Sequence, residues 1–386
     1  MKSKILNKIL KALEQIEFGE LELNLPDGKS YKFAGTQAGA KADITIKQWH
    51  IFTEVAARGD IALAQGYSHG SWESDDLESF FKFVLQNDQV LNKFIYGNNI
   101  YKIIAALVNL SRRNSLKGSK RNIAAHYDLG NEFYSLWLDK TMTYSSALFK
   151  EGQQDLAAGQ AEKYNRIISR LKNNSGSILE IGCGWGGFAE QALKQGDYDI
   201  KGLTLSKEQQ EFARQRLAEQ PVDIAYQDYR KEKSKFDHIV SIEMFEAVGE
   251  KYWPIYFKKI KECLSNKGNA VIQTITIGEQ YFKDYRKSGD FIRSFIFPGG
   301  MLPSKQRFSD EAARSGLKIN DEFSFGKDYA KTLSLWLKSF EEQISAVKQL
   351  GFNENFIRIW RLYLAACSAS FAVGRTNVVQ YELVHV

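Results

Sequence analysis

The chain has 386 residues, enough for two domains at ~150 residues each, and its 44% hydrophobic and 25% charged residues exclude a disordered protein. No apolar run approaches the ~20 residues of a transmembrane helix. Three cysteines are too few for a disulfide framework or a cysteine-rich zinc site, so no metal centre is expected and a reducing cytoplasm fits. The net charge of +6 points to a polyanionic partner, either a membrane surface or a nucleic acid.

The N-terminal stretch, MKSKILNKILKALEQIEF, starts basic like an export signal, but Lys8, Lys11 and Glu14 interrupt any apolar segment. Ile5, Ile9, Leu10 and Leu13 recur at helical spacing, so an amphipathic helix is expected. Glu20 to Leu25 alternates as a strand, Pro26-Asp27-Gly28 marks a turn, and Ala42 to Ile46 reads as another strand. Helices are expected near Ile61–Gln65 and Asp76–Leu85. These elements make residues 1–110 a small α+β domain.

Residues 111–122 form a linker whose core, Ser111 to Arg121, carries Arg112, Arg113, Lys117, Lys120 and Arg121 and no acid. It serves as a solvated connection, and beside an apolar surface it would also attract anionic headgroups at ~1 kcal/mol per cation.

From residue 123 the pattern alternates. Strands are expected at Ser177–Ile181, Ile200–Leu205, Ile224–Tyr226, Phe236–Ile242 and Ala270–Ile277. Helices fall at Phe188–Leu193, Lys207–Leu217 and Tyr256–Leu264, and a helical tail covers Asn353–Phe371. Such alternation implies an α/β doubly wound parallel sheet over residues 123–386.

The strand Leu179-Glu180-Ile181 runs into Gly182-Cys183-Gly184-Trp185-Gly186-Gly187, a turn whose glycines let the backbone approach a ligand. Gly182, Gly184 and Gly187 satisfy the dinucleotide pattern literally. However, the next strand ends in Gly202-Leu203-Thr204-Leu205-Ser206, without the acid that a dinucleotide ribose needs. The acid is Glu180, before the glycines, which suits S-adenosylmethionine better, with Gln209 as the hydroxyl partner.

Further motifs follow in order: His126-Tyr127-Asp128-Leu129-Gly130-Asn131, Met142-Thr143-Tyr144-Ser145, Thr204 to Gln209, Met244-Phe245-Glu246, Ile296 to Ser304 and Ala366-Cys367. Together with the glycine turn they resemble the cyclopropane-fatty-acyl-phospholipid synthase family, which includes the mycolic acid cyclopropane synthases. The resemblance implies a Rossmann-like methyltransferase fold and an S-adenosylmethionine site lined by Tyr144, Ser145, Gly182, Gly184, Thr204, Gln209, Asp228 and Tyr229. In that site Asp228 would accept the adenine amine, and Tyr127, Tyr144 and Trp185 would offer aromatic faces to the sulfonium.

The implied reaction is attack of an alkene on the sulfonium methyl, forming a cyclopropane on an unsaturated acyl chain of a membrane phospholipid. In the family a bound bicarbonate removes the last proton. Its site maps here to Glu246, Tyr329, Ser146 and Gln273, the last two replacing a cysteine and a histidine. Bicarbonate is therefore in doubt, and proton loss from a chain carbon, giving a methyl-branched or methylene-bearing chain, is the alternative product. Cys367 matches a further family cysteine and reads equally as a buried structural thiol. Glu243 reads first as a solvated partner of lysines, and second as a replacement charge beside the reacting cation. His126 is a candidate for substrate phosphate. A nucleic-acid methyltransferase is the rival, but the strand end Ser241 to Glu246 lacks an Asn/Asp-Pro-Pro-aromatic clamp and no Pro-Cys nucleophile is present, so no nucleic-acid partner is expected. A non-catalytic lipid-binding protein is the remaining rival. The expected setting is the cytoplasmic face of an anionic membrane, held peripherally, and a homodimer is compatible with the sequence.

Overall fold

The computed structural model describes residues 2–95, 118–119 and 129–386. The basic segment, apart from Gly118 and Ser119, lies outside them, as do His126 and Tyr127. The chain packs into two units, one of Met1–Ser111, Lys283–Pro298 and Trp336–Arg375, the other of Arg112–Phe282, Gly299–Leu335 and Thr376–Val386. This grouping by packing differs from a cut in sequence order at 111–122, because two later segments join the N-terminal residues.

In the first unit, β1 (Phe18–Asn24), β2 (Ser30–Ala34), β3 (Gln37–Ile46) and β4 (Trp72–Glu73) form a sheet in the order β2-β1-β3-β4. Alternation along β1 buries Leu21 and Leu23 and turns Glu20 outward. The helices Asp60–Ser68 and Leu77–Gln86 receive the long helix Glu354–Ala372. On it Ile357, Trp360, Leu362, Tyr363, Leu364 and Ala365 are buried, more than one helical stripe, while Phe356, Ile359 and Ala366 are half-buried. The N-terminal helix spans Lys2–Leu13 and half-buries Ile5, Ile9 and Leu10.

The second unit holds β5 (Ser175–Ile181), β6 (Asp197–Thr204), β7 (Val222–Tyr226), β8 (Phe236–Ile242), β9 (Leu264–Ile277), β10 (Leu317–Ser324) and β11 (Thr376–His385). They form one sheet in the order β10-β11-β9-β8-β5-β6-β7. The five strands from β9 to β7 run parallel, and β11 and β10 are antiparallel additions at one edge. Ile178, Ile200, Ile224, Val240 and Val271 pack against the helices Leu156–Ser169, Gly187–Leu193 and Lys207–Arg216. Tyr381 pairs with Ile272, which faces the other way from Val271, and stacks on Phe308 at 4.2 Å between ring centroids. Helices therefore cover both faces, and the doubly wound Rossmann-like expectation holds.

The helical tail does not close the chain. Gly374, at φ +74°, ends it, and β11 follows, with Val378 to Leu383 buried. Val379, Tyr381 and Leu383 alternate with Gln380 and Glu382, a strand pattern beyond the helical tail, and both polar side chains are buried here with partners on neighbouring elements.

Candidate active site

β5 has β6 on one side and β8 on the other, so the connections leaving its neighbours diverge and open a crevice at the carboxyl ends of these strands. A cavity of about 140 Å³ occupies that crevice. Gly182 and Cys183 N–H both donate to Leu203 O, at 2.9 and 3.0 Å, which fastens the glycine turn to β6. Gly182 sits at φ +83°, where a Cβ would come within 2.8 Å of Met244 Cγ. Gly184, at φ +52°, has nothing within 4 Å of its Cβ position. That space is left to a ligand.

Tyr144, Ser145, Glu180, Gly182, Gly184, Gly187, Thr204, Gln209 and Tyr229 all line this cavity. Asp228 is placed differently. Its carboxylate is clamped by Arg230 through Nε at 2.8 Å and Nη2 at 2.6 Å, and its chain neighbours Gln227 and Tyr229 form the wall instead. Thr204 Oγ1 donates to Gln209 Oε1 at 2.9 Å, which orients the carboxamide. Tyr144 lies 5.4 Å from Tyr134 and 5.5 Å from Trp137 between ring centroids, and Trp185 lies 5.2 Å from Tyr134, so an aromatic cluster backs one side. Trp185 also donates to Asn131 Oδ1 at 2.7 Å.

Glu180 is only 3% exposed, and its Oε2 has no partner among the described residues. Burial pushes its carboxyl up to about 8, against the pull of Lys163 and Arg216. Lys163, which the sequence reading missed, is fully buried and donates to Ser145 Oγ at 2.6 Å. Removal from water brings it down to about 7. Its sequence signal is a charge on the apolar stripe of Tyr164, Ile167 and Ile168 in the helix Leu156–Ser169. An unpartnered buried carboxylate, a hydroxyl-seeking carboxamide and an aromatic wall together fit an amino-acid and ribose-bearing cation such as S-adenosylmethionine.

At the other wall the reacting-end residues converge on Glu243. Ser146 N–H and Gln273 Nε2 donate to its Oε1 at 2.8 and 2.7 Å, and Tyr329 OH donates to its Oε2 at 2.7 Å. The reading of Glu243 as a solvated surface partner is thereby corrected. Its carboxyl is raised by burial, which these donors and Lys163 oppose. The Ser146 hydroxyl turns away to Ala147 O at 2.9 Å, so only its backbone serves the site. Glu246 accepts from Thr274 Oγ1 at 3.0 Å and from Ile275 N, while its Oε2 has no partner among the described residues. Burial and then Glu243 push it up to about 8. Cys367 belongs to the first unit. Burial, then Asp290, pushes its thiol up to about 12, which disfavours the thiolate.

Residues 114–381 match the family model for mycolic acid cyclopropane synthetase. The chain is 35% identical over 344 residues to a tuberculostearic acid methyltransferase of Mycobacterium tuberculosis, covering 86% of this chain and 80% of the relative. It is 34% identical over 368 residues to the cyclopropane-fatty-acyl-phospholipid synthase of Escherichia coli K12, covering 91% and 92%. A mycolic acid cyclopropane synthase solved with SAH and CTAB superposes at a TM-score of 0.64 and 30% identity, over 68% of this chain and 97% of that one.

Two outcomes follow. Gly184→Val places a β-branched side chain at φ +52° in the ligand's space, and calorimetry should find S-adenosylmethionine binding abolished. Glu180 keeps its proton in the folded, ligand-free protein up to about 8, whereas the unfolded chain loses it near 4.5. The stability this gives is complete below the lower value and is lost as pH rises through the upper one. Glu180→Gln removes that loss: it should melt at least ~2 °C above the parent at about pH 8, match it at about pH 4, and bind the cofactor more weakly.

Proposed function

The chain belongs to the mycolic acid cyclopropane synthetase family and is an S-adenosylmethionine-dependent methyltransferase, and from that premise we propose that it adds one carbon to the double bond of an unsaturated acyl chain of a membrane phospholipid, forming a cyclopropane. The observation that carries this reading is Glu243, an enclosed acid held by three hydrogen-bond donors on the wall of the cofactor cavity. An alkene that accepts a methyl group becomes a carbocation, and fixed negative charge in a water-poor site stabilises such a cation at the moment it forms.

Bound S-adenosylmethionine supplies an electrophilic methyl group. The chain's own work is to hold that group and its target in line. The glycine turn would let the backbone lie against the ligand, Gln209 and Thr204 would hold its hydroxyls, and Glu180, with its unpartnered Oε2, would hold its ammonium. Tyr144 and Trp185 supply π faces that attract a sulfonium without attacking it. The aromatic lining also excludes water, which would otherwise capture the cation.

The relatives support both product classes, since one is named a methyltransferase and the other a cyclopropane synthase. Replacement of the family's cysteine and histidine by Ser146 and Gln273 favours keeping the second reading, a methyl-branched or methylene-bearing chain. The N-terminal domain of residues 1–110 and the basic linker 111–122 would bring the catalytic residues of 123–386 to an anionic membrane surface. No helix among the described residues is long and apolar enough to cross a membrane.

Expression in a host that makes unsaturated but no methylated acyl chains tests the function. Mass spectrometry and NMR of the extracted lipids should show a gain of one CH2 with ring protons, and an unaltered fatty-acid profile would refute the reading. Neutralising Arg112, Arg113, Lys117, Lys120 and Arg121 should weaken binding to anionic vesicles and flatten its salt dependence. Equal vesicle binding would remove the linker from the account.

A further inference from the structure

Bicarbonate is the base that the family resemblance implies, and the residues present do not fit it. Those that would hold it give their donors to a carboxylate that the chain supplies itself. Ser146 N–H, Gln273 Nε2 and Tyr329 OH all end on Glu243, at 2.8, 2.7 and 2.7 Å. Thr274 OH and Ile275 N–H are given to Glu246. A bicarbonate here would add a third acid to two carboxylates already withdrawn from water, with its donors already engaged.

We propose that Glu243 is the general base of the reaction, a carboxylate built into the chain in place of a bound anion, so that turnover needs no bicarbonate. This rests on the reading of the reaction as methyl transfer to an alkene.

Three features of the chain agree. Glu243 has φ +49°, a left-handed conformation that is costly for a side-chain-bearing residue and is retained where the geometry is needed. It follows β8 directly and lines the cofactor cavity, so it stands on the wall of the space that the cofactor would fill. Gln273 is set as a donor: its Oε1 accepts from Gln380 Nε2 at 2.9 Å, and Gln380 Oε1 accepts from Arg166 at 2.7 Å. Arg166 is in turn fixed by Asp321 at 2.7 Å. The amide nitrogen is thus forced toward Glu243. Glutamine donates to the carboxylate there without carrying a titratable proton of its own. Ser146 needs no reactive side chain, since its N–H does the holding.

The step balances within the reactants. The alkene electron pair forms the bond to the methyl carbon, and the C–S pair stays with the departing sulfur. A proton of the transferred methyl goes to a Glu243 oxygen, and the C–H pair left behind closes the ring onto the cationic carbon. Transfer of a chain proton to the same oxygen gives the methyl-branched alkene or methylene product instead.

The test uses the full chain with S-adenosylmethionine and vesicles of unsaturated phosphatidylglycerol, in buffer stripped of carbon dioxide. Parent turnover should be unchanged by stripping or by added bicarbonate. Glu243→Gly, which suits the left-handed backbone, should fall by at least ~100-fold and recover by at least ~10-fold with bicarbonate. Glu243→Gln should fall as far and not recover, because its amide still fills the cage. Apart from turnover, NMR titration with isotopically labelled bicarbonate should show binding to Glu243→Gly and none to the parent. Loss of parent turnover on stripping, or bicarbonate binding by the parent, overturns the proposal while leaving the function intact. If no lipid is turned over by the parent, the functional reading fails, and the NMR titration still decides the role of the cage.

Discussion

A carboxylate drawn out of water costs several kcal/mol unless donors or cations replace its hydration, and the second unit is arranged around three such acids. Glu243 is met by three hydrogen-bond donors. Glu246 is met at one oxygen only and is held mostly neutral, at about 8, by its surroundings. Glu180 has the longer-range pull of Lys163 and Arg216 and an oxygen with no partner among the described residues. These unequal solutions separate the roles. Donors favour the charged form of Glu243 against its burial, a neutral Glu246 adds no like charge beside it, and Glu180 keeps one oxygen without a partner among the described residues.

The sheet makes this arrangement stiff. Glu180 lies on β5, Glu243 follows β8, Gln273 lies on β9 and Gln380 on β11. Ile242 pairs with Gln273, and Gln273 pairs with Gln380, so the polar relay crosses neighbouring strands at one level. Parallel strands at a switch point bring their carboxyl ends together, and side chains that are far apart in sequence become lateral neighbours there. A backbone ladder holds their spacing more tightly than a loop would.

Lys163 adds a buried cation to the same site. A buried ammonium at the Ser145 hydroxyl, within reach of Glu180 and Glu243, keeps the local charge near balance while losing part of its own basicity to burial. The ring of Tyr164 lies 4.0 Å from its nitrogen, which offsets some of the lost hydration. Lys163 thus acts on the charge of both Glu180 and Glu243, lowering each against the rise that burial causes.

Much of this was legible in the sequence because it is local. The glycine turn with Glu180 before it, the strand-helix alternation and the ordered motifs fixed the doubly wound fold, the family and the cofactor cavity, since φ > 0 turns and hydrophobic periodicity are properties of short segments. The sequence also showed that Ser146 and Gln273 were unusual. It could not show why: Ser146, Glu243, Gln273 and Tyr329 come from four separate segments, and only tertiary packing decides that three of them donate to the fourth. The same holds for Asp228, which reads as an open acceptor until Arg230 is seen to occupy it. It holds also for β11, whose Gln380 and Glu382 are buried with partners only because the strand lies between β9 and β10. Hydrogen-bond partners and charge environments are set by distances in space, and a linear pattern carries only the residue types that could meet.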